Sequence, residues 1–412
     1  MNRIKSRKHR KLTVADIPHI GPGTPAGEWF RRYWLVVGTV HELYDIPQPV
    51  KVLGEELVLF RDLNGQIGLL GEHCPHRGAS LEYGDIEGGG LRCPYHGWLF
   101  DVHGRCLEMP AEPKDSKFCD KVKQLSYPVR ELGGLIFAYM GPDQANPPPL
   151  PHYAPLLDQG GQRQVEPVRR ADYNWFNFFE NSADPAHVCV LHRHAGYGQQ
   201  SWGDQFFSYT EMPNFEFVEM DYGMKVVMTK PGLQPGTEFI DEMSLALPSI
   251  VQVGDTEFVH AKMDAAALIN EGSRCEHWMF VTPNDDDHFM LFTADNYRGP
   301  VENFFEKLKA MRAQETPIQE VKPYDKRKYM PYKGNVRKED IVTQGTQGLL
   351  GERQEQLAVS DRGVIKFRKI VLDAIDTALR GGTPKGLLAR DPATGITRLV
   401  TAVGVRQKSI EN

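Results

Sequence analysis

The sequence predicts an α+β protein in which a small antiparallel β domain precedes a larger domain made of an extensive antiparallel sheet and helices. Short runs rich in β-branched and aromatic residues, separated by Gly, Pro and Asn, fill the first third of the chain and are typical of short strands. The proline-rich segment Asn146–Pro151 favours an extended linker, so we place the domain boundary there. With 412 residues, the chain has room for two or more hydrophobic cores.

The first domain is predicted from strand-like segments at Val50–Phe60, Gln66–Leu70, Trp98–Asp101, Tyr127–Glu131 and Leu135–Tyr139. We assign residues 42–145 to this domain and residues 146–412 to the second domain. Residues 1–41 are expected to form an N-terminal segment that packs with the second domain.

The second domain opens with a helical-looking stretch at Asn174–Val190. Six β-rich segments then predict a large antiparallel sheet: Phe215–Met220, Lys225–Thr229, Ile250–Val253, Phe258–Met263, His277–Thr282 and Phe289–Ala294. Helices are predicted at Val301–Arg312 and Ser360–Arg380, the second with Ser360 as N-cap. An apolar stripe on that second helix predicts a core-facing side: Val364, Phe367, Ile370, Val371, Ile375 and Leu379.

Two short loops in the first domain each offer one thiolate and one imidazole. Cys74 and His76 lie in the first loop, Cys93 and His96 lie in the second, and sixteen residues separate His76 from Cys93. This pattern predicts a Rieske [2Fe-2S] cluster, in which two cysteines hold one iron and two histidines hold the other. A structural zinc site is the alternative, but zinc motifs usually keep Cys and His ligands in separate pairs.

The helical stretch of the second domain carries two closely spaced histidines. His187 and His192 are five residues apart, and Glu180 and Asp184 precede them. Such a pair is weak evidence for a metal by itself, but an electron carrier fused to a second domain must deliver its electrons somewhere. Two histidines and one carboxylate can hold a non-heme Fe(II) and leave coordination positions open for oxygen chemistry.

With these motifs in place, the chain resembles the oxygenase component of the Rieske non-heme iron oxygenases. The branch it is most similar to is the phthalate-dioxygenase-like one, which includes aromatic O-demethylases. The family's iron motif of acidic residue, x3, Asp, x2, His, x4, His matches Glu180, Asp184, His187 and His192, and Ile20–Trp34 is similar to an entry segment of the branch. The resemblance implies a helix-grip-like catalytic domain, a mononuclear Fe(II), O2 as co-substrate and a homotrimer.

The resemblance also implies roles for individual residues. It points to Asp340 as the third iron ligand, with Glu339 as the nearest rival, whereas Asp285–Asp287 is typical of a turn between strands. It implies that Asp184 hydrogen-bonds an iron-ligating histidine and bridges toward a cluster histidine of the neighbouring subunit. Glu180 is expected only to lie behind the ligands, in contact with groups that position them.

The implied function is oxidation of an aromatic carboxylic acid with O2 and with electrons that pass from NAD(P)H through a ferredoxin or flavin reductase. We favour monooxygenation, such as O-demethylation of a methoxylated, lignin-type acid, and cis-dihydroxylation of a phthalate-like acid is the close alternative. A Rieske electron carrier without oxygenase activity and a zinc-stabilised scaffold are the alternatives of other classes. Four cations could anchor a substrate carboxylate, namely Lys225, Lys230, Lys262 and Arg298.

Charge and composition exclude several partners. The formal net charge of −6 argues against binding to nucleic acid, and the basic segment Lys5–Lys11 is typical of a solvated terminus. No apolar run long enough for a signal or a membrane span is present, so we expect a cytoplasmic protein. The remaining cysteines are expected to be free thiols, mostly buried: Cys106, Cys119, Cys189 and Cys275.

Overall fold

The structure is a computed structural model that describes residues 10–157, 160–192, 212–232, 235–254, 272–313, 336–387, 391–399, 401 and 403–407. Within these residues, every pair of neighbouring strands runs antiparallel, and the strands form four sheets. Helices contribute a smaller share, so the predicted α+β class is confirmed. The predicted strand Phe258–Met263 lies outside the described residues.

Eleven short strands make up the first part of the described chain. They are β1 Trp34–Thr39, β2 Gln48–Val52, β3 Glu55–Arg61, β4 Ile67–Gly71, β5 Asp85–Glu87, β6 Gly90–Arg92, β7 Leu99–Asp101, β8 Cys106–Glu108, β9 Ser126–Tyr127, β10 Val129–Leu132 and β11 Leu135–Tyr139. Their sheets have the orders β2-β3-β4-β9, β5-β6-β7-β8 and β1-β11-β10. A core that includes Val58, Phe60, Leu91 and Phe100 packs next to the two cysteine loops.

The sequence analysis was wrong to treat Val50–Phe60 as one strand, because this segment is the hairpin of β2 and β3. Leu53 and Gly54 form the tight turn, with φ angles of 49° and 78°. Leucine is an unusual turn residue, since a side chain disfavours positive φ. The turn is held from outside: the N–H of Leu53 donates to Pro283 O at 3.0 Å, and the N–H of Gly54 donates to Asn284 O at 2.7 Å.

The second part contains a large antiparallel sheet. Its strands are β12 Gln162–Ala171, β13 Asn214–Met220, β14 Gly223–Pro231, β15 Thr237–Ala246, β16 Ile250–Gly254, β17 Arg274–Asp285, β18 His288–Arg298 and β19 Val403–Gln407. Their order is β12-β18-β17-β16-β15-β14-β13, and β19 pairs with β15 beyond the end of β16. Strands β12, β15 and β19 were missing from the prediction.

Seven α-helices are described: α1 Pro25–Phe30, α2 Ala154–Leu157, α3 Trp175–Asn181, α4 Pro185–Leu191, α5 Phe304–Ala313, α6 Val336–Gly345 and α7 Arg362–Leu379. The long helix α7 packs on α1, α3, β13 and β14, which gives the predicted helix on a large sheet. Its predicted apolar stripe is buried from Val364 to Ile375, and Leu379 is half-buried. Among the described helices, none combines the length and apolar character that crossing a bilayer requires.

Two details of the helices differ from prediction. The stretch Asn174–Val190 is two helices rather than one, and α7 has Asp361 rather than Ser360 as its N-cap. Ser360 lies in a 3-10 turn that Asp361 closes by accepting the N–H of Ala358 at 2.6 Å, so α7 begins later than expected.

The N-terminal segment lies against the second part of the chain. Trp29 and Phe30 of α1 are fully buried, and the rings of Phe30 and Trp175 meet edge to face with centroids 4.7 Å apart. Helix α1 also packs on α7, and β1 pairs with β11. These contacts place α1 directly behind α3, the helix that precedes the histidine pair.

Candidate metal centres

The two cysteine loops of the first domain share one backbone arrangement. In each loop, the N–H of the glycine four residues after the cysteine donates to the cysteine carbonyl, at 2.9 Å for Gly78 and 3.1 Å for Gly97. Both glycines are left-handed, with φ angles of 78° and 75°, a conformation that other residues rarely adopt. Each loop therefore turns tightly enough to bring its Cys and His to the same end.

The side chains of the two loops meet in matched pairs. Cys74 and Cys93 are buried, and burial together with the neighbouring sulfur of Cys93, which favours the protonated thiol of Cys74, raises the pKa of Cys74 to about 11. The rings of His76 and His96 lie with centroids 4.5 Å apart, and the ring of His76 stacks on Trp98. Among the described residues, the buried Nδ1 of His96 has no hydrogen-bond partner. Paired thiols beside paired imidazoles fit a cluster in which each iron takes one ligand type.

Helices α3 and α4 form one unit that carries the second histidine pair. Asp184 is the N-cap of α4, where its Oδ1 accepts the N–H of Ala186 at 3.2 Å, and Pro185 occupies the first helical turn. His187 therefore lies in the first turn, and its Nδ1 donates to the carbonyl oxygen of Asp184. His192 is the C-cap, so the two histidines sit at opposite ends of a two-turn helix.

The fold brings Asp340 of α6 to these histidines. Its Oδ1 lies 3.4 Å from Nε2 of His192 and 3.9 Å from Nε2 of His187. Among the described residues, these three form a group whose ligand atoms all lie within 4.8 Å of one another. The rival segment Asp285–Asp287 lies at the turn between β17 and β18, where Asp286 contacts His19.

The other rival, Glu339, contacts His192 from the opposite side. Its Oε2 accepts a hydrogen bond from Nδ1 of His192 at 2.9 Å, and Glu339 is fully buried. A proton fixed on Nδ1 leaves the lone pair on Nε2, the atom that faces Asp340. A carboxylate behind a histidine in this way typically orients the ring and makes it a more basic ligand.

The residues present fit a mononuclear iron. Nε2 of both His187 and His192 faces Asp340, while each Nδ1 has a protein acceptor. Atoms bound about 2.1 Å from one ion at right angles lie about 3 Å apart. The separations of 3.4 and 3.9 Å found here would shorten by less than about 1 Å when an ion binds. Asn181 adds a polar group at the same place, since its Nδ2 lies 3.1 Å from Nε2 of His187 and 3.5 Å from Oδ1 of Asp340.

Asp184 and Glu180, expected to act behind the ligands, are held in different ways. The contact of Asp184 with His187 runs through its backbone oxygen, while its half-buried side chain caps α4. Burial raises the pKa of the Asp184 carboxyl. The carboxylate of Glu180 is bound by Arg353 and Arg368.

The first domain and the whole chain both match known proteins. A family model described as "Rieske [2Fe-2S] domain" matches residues 33–128. The chain is 33% identical to the 5,5'-dehydrodivanillate O-demethylase oxygenase subunit of Sphingobium sp. (strain NBRC 103272 / SYK-6), over 92% of this chain and 82% of that protein. It is also 33% identical to the tert-butanol monooxygenase / tert-amyl alcohol desaturase oxygenase subunit of Aquincola tertiaricarbonis (90% and 78% covered) and to the phenoxybenzoate dioxygenase subunit alpha of Ectopseudomonas oleovorans (89% and 86%).

The chain belongs to the Rieske oxygenases. Enzymes of this family combine a Rieske [2Fe-2S] domain with mononuclear iron and O2, and a reductase supplies their electrons. The similarity to oxygenase subunits extends over about nine-tenths of the chain. It argues against the alternative that this chain is a Rieske electron carrier without oxygenase activity.

The cations suggested as substrate anchors in this Rieske oxygenase have diverse surroundings. Lys225 pairs with Glu242 at 3.1 Å on the sheet, and Arg298 is exposed at the end of β18. Lys230 is buried at the end of β14, where its side chain forms a hydrogen bond with the thiol of Cys189. Cys189 lies between His187 and His192 in the sequence. Lys262 lies outside the described residues.

The sequence analysis missed several residues around the iron site of this Rieske oxygenase. Asn181, Arg353 and Arg368 were not singled out, although Asn181 directly follows the acidic residue of the matched motif and could have been found there. Arg353 and Arg368 are distant in sequence and carry no local signal of a metal site. The expectation of free thiols agrees with the structure, where Cys106 and Cys119 are half-buried and Cys189 and Cys275 are buried.

Proposed function

We propose that this Rieske oxygenase oxidises an aromatic carboxylic acid by monooxygenation, most simply by removing the methyl group of a methoxylated acid. The convergence of His187, His192 and Asp340 carries this proposal, because two histidines and one carboxylate are the set that holds an oxygen-reactive Fe(II). Cys74, His76, Cys93 and His96 would hold the [2Fe-2S] cluster. When bound, the cluster would supply single electrons, and the mononuclear iron would supply the chemistry that reduces dioxygen.

The residues around the mononuclear site orient and position the side chains that would bind the metal. Glu339 fixes the proton of His192 on Nδ1, and the carbonyl of Asp184 does the same for His187. Both imidazoles thereby turn Nε2 toward the site, and a bound metal would take the place of any proton on that nitrogen. Asn181 holds its amide beside Nε2 of His187 and Oδ1 of Asp340. With a metal bound to Nε2, the amide would instead donate to Asp340 or to a polar group of a bound reactant.

The proposed reaction balances with one reduced nicotinamide per turnover. An aryl methyl ether, O2, NADH and a proton give a phenol, formaldehyde, water and NAD⁺. A flavin reductase, alone or with a ferredoxin, would divide the hydride into the single electrons that a Rieske cluster accepts. The O-demethylase relative supports this reaction, and because NADH serves as donor we place the protein in the cytoplasm.

Cis-dihydroxylation of a phthalate-like acid is the second candidate. The relative named as a phenoxybenzoate dioxygenase, as similar as the O-demethylase, favours it. The two reactions need the same metal-binding residues and differ in how the substrate lies over the iron.

The proposal includes a homotrimer in which electrons pass between subunits. Asp184 would bridge from His187 to a cluster histidine of the neighbouring subunit, and its half-buried position keeps one edge within reach of a partner. A head-to-tail interface that closes into a ring allows each cluster to serve the next subunit's iron.

The test is turnover with NADH, a compatible reductase and a panel of methoxylated and unsubstituted aromatic acids, reading formaldehyde and product mass together. Formaldehyde with loss of a methyl group would support O-demethylation. A product that gains two hydroxyl groups without formaldehyde would support dihydroxylation instead. NADH oxidation with no altered acid across the panel would contradict the proposed substrate class.

A further inference from the structure

A closed ring of four charged side chains lies behind the mononuclear site. Glu180 of α3 binds Arg368 of α7, with Oε2 2.8 Å from Nε, and its other oxygen binds Arg353. Glu355 completes the ring, with its oxygens 2.6 and 2.8 Å from the two terminal nitrogens of Arg368 and one oxygen 2.7 Å from Nε of Arg353. Two carboxylates and two guanidinium groups leave the ring without net charge.

The ring is shielded from solvent. The side chains of Glu180, Arg368 and Arg353 are 6%, 7% and 11% exposed, and only Glu355 reaches 25%. In such surroundings the loss of one member leaves an opposite charge unpaired at a high cost in free energy. The ring therefore fixes the relative position of the three segments that supply its members.

Those segments carry or adjoin the proposed iron ligands. Glu180 directly precedes Asn181, whose amide contacts both His187 and Asp340. Arg353 and Glu355 lie in the segment that leaves the end of α6, the helix of Asp340. The segment that carries the histidines and the segment that follows the helix of Asp340 are thus also joined at the ring.

Hydrogen bonds between α3 and the end of α6 continue the same connection. Nδ2 of Asn177 donates to the carbonyls of Gln344 and Gly348 at 3.1 and 3.0 Å, and the hydroxyl of Tyr173 donates to Oε1 of Gln344 at 2.8 Å. Asn177 and Glu180 are three residues apart in α3 and therefore share one face of this helix, while Tyr173 lies just before the N-cap of α3. That face joins the histidine-bearing unit to the helix that carries the carboxylate.

We infer that Glu180, Arg353, Glu355 and Arg368 are positioning residues for the mononuclear site, acting as one unit that holds Asp340 against His187 and His192. This inference rests on the proposed function. None of the four has to touch the metal for this role. Their effect is transmitted through Asn181 and through the segment that follows α6.

The test is Co²⁺ affinity of the full chain, with the mononuclear site emptied by a chelator and the cluster intact. Glu180→Gln should weaken Co²⁺ binding about tenfold, the lower part of the range for groups that orient metal ligands, and should alter the visible bands of bound Co²⁺. Glu355→Gln is the milder second variant. It should weaken binding in the same direction, because Glu355 binds both Arg353 and Arg368, the partners of Glu180.

A matched control separates positioning from general stability. Glu55→Gln breaks the largely buried ion pair between Glu55 and Arg31, the residue that follows α1, in which oxygen and nitrogen lie 2.6 Å apart. Neither residue belongs to α3, to α6 or to the ring of four charges. It should lower the melting temperature and leave Co²⁺ affinity unchanged. Equal affinity in wild type and Glu180→Gln, or an equal loss in Glu55→Gln, would overturn the inference. Wild-type protein that binds no Co²⁺ would overturn the proposed function together with it.

Discussion

Two consecutive residues of α6 contact one imidazole from opposite sides. Glu339 accepts from Nδ1 of His192, and Asp340 faces Nε2. The family resemblance pointed to Asp340, with Glu339 as the nearest rival, but the local sequence gives no geometric reason to separate them, because adjacent helical positions differ by only about 100° around the axis. The separation comes from where α4 ends, since His192 as C-cap places its ring between the two carboxylates.

Replacing Glu339 by glutamine should weaken metal binding while keeping the hydrogen bond. The amide oxygen can still accept from Nδ1 of His192, but the negative charge that makes the ring more basic is gone. We expect about a tenfold loss of Co²⁺ affinity in a titration of the metal-depleted site. Asp295→Asn is the matched control, because Asp295 is a buried carboxylate bound to a different histidine, His277. A loss of similar size in the control would refute the specific role of Glu339.

The ring behind the site predicts a distinct acid response. Hydrogen bonding to Arg368 holds the pKa of Glu355 below its ordinary value of 4.5. Its stabilising contribution is therefore fully present above about pH 4.5 and is lost as the pH falls through the lower, folded-state pKa. Melting temperatures of wild type and Glu355→Gln should differ most near neutral pH and converge as the pH falls below 4.5. A difference that grows with acidity would contradict this assignment.

At the scale of elements, the sequence predicted the helices and much of the large sheet but not their exact division. The stretch Asn174–Val190 reads as helical throughout, yet Asp184 and Pro185 start a new helix, because Asp caps well and Pro favours the first turn. Strand β15 was missed since its central residues, Ile240 to Met243, are mixed in polarity. Its place in the sheet comes from pairing with β14, β16 and β19.

The contact between α7 and the α3–α4 turn depends on a glycine. A β-carbon on Gly363 would lie 2.2 Å from the ring of Phe217 and 2.4 Å from the carbonyl oxygen of Ala183, the residue before Asp184. Gly363→Ala should therefore push α7 away from the turn and cost about 1–3 kcal/mol of stability. Denaturant unfolding measures this cost.

Gly21→Ala is the control for that prediction. A β-carbon there meets no atom within 4 Å, so stability should stay within about 0.5 kcal/mol of wild type. Equal stability of the Gly363→Ala and Gly21→Ala variants would show that α7 and the turn can move apart freely.

Across the whole molecule, the two metal-binding motifs could be recognised in the sequence because the residues of each motif lie close together along the chain. Cys74 and His76, like His187 and His192, need only a loop or a short helix to come together. Asp340 lies 148 residues beyond His192, so only the fold can join them and only the family resemblance pointed to it. The domain limits and the trimer stay predictions.

Asp184→Asn tests the electron route between subunits. Asparagine caps a helix as well as aspartate, so α4 should stay intact while the charge proposed to bridge to the partner is removed. We expect turnover to fall about 10–100-fold, with the cluster spectrum and Co²⁺ affinity unchanged. Wild-type turnover in this variant would rule out the bridge.

The ratio of iron to acid-labile sulfide shows whether one chain holds two different iron centres. After anaerobic loading with Fe²⁺, wild type should contain about three irons for two sulfides, one iron more than a [2Fe-2S] cluster supplies. Asp340→Ala should keep the sulfide and the cluster spectrum and lose the additional iron. A wild-type ratio of one iron per sulfide, or an unchanged ratio in Asp340→Ala, would show that His187, His192 and Asp340 do not hold a second iron centre.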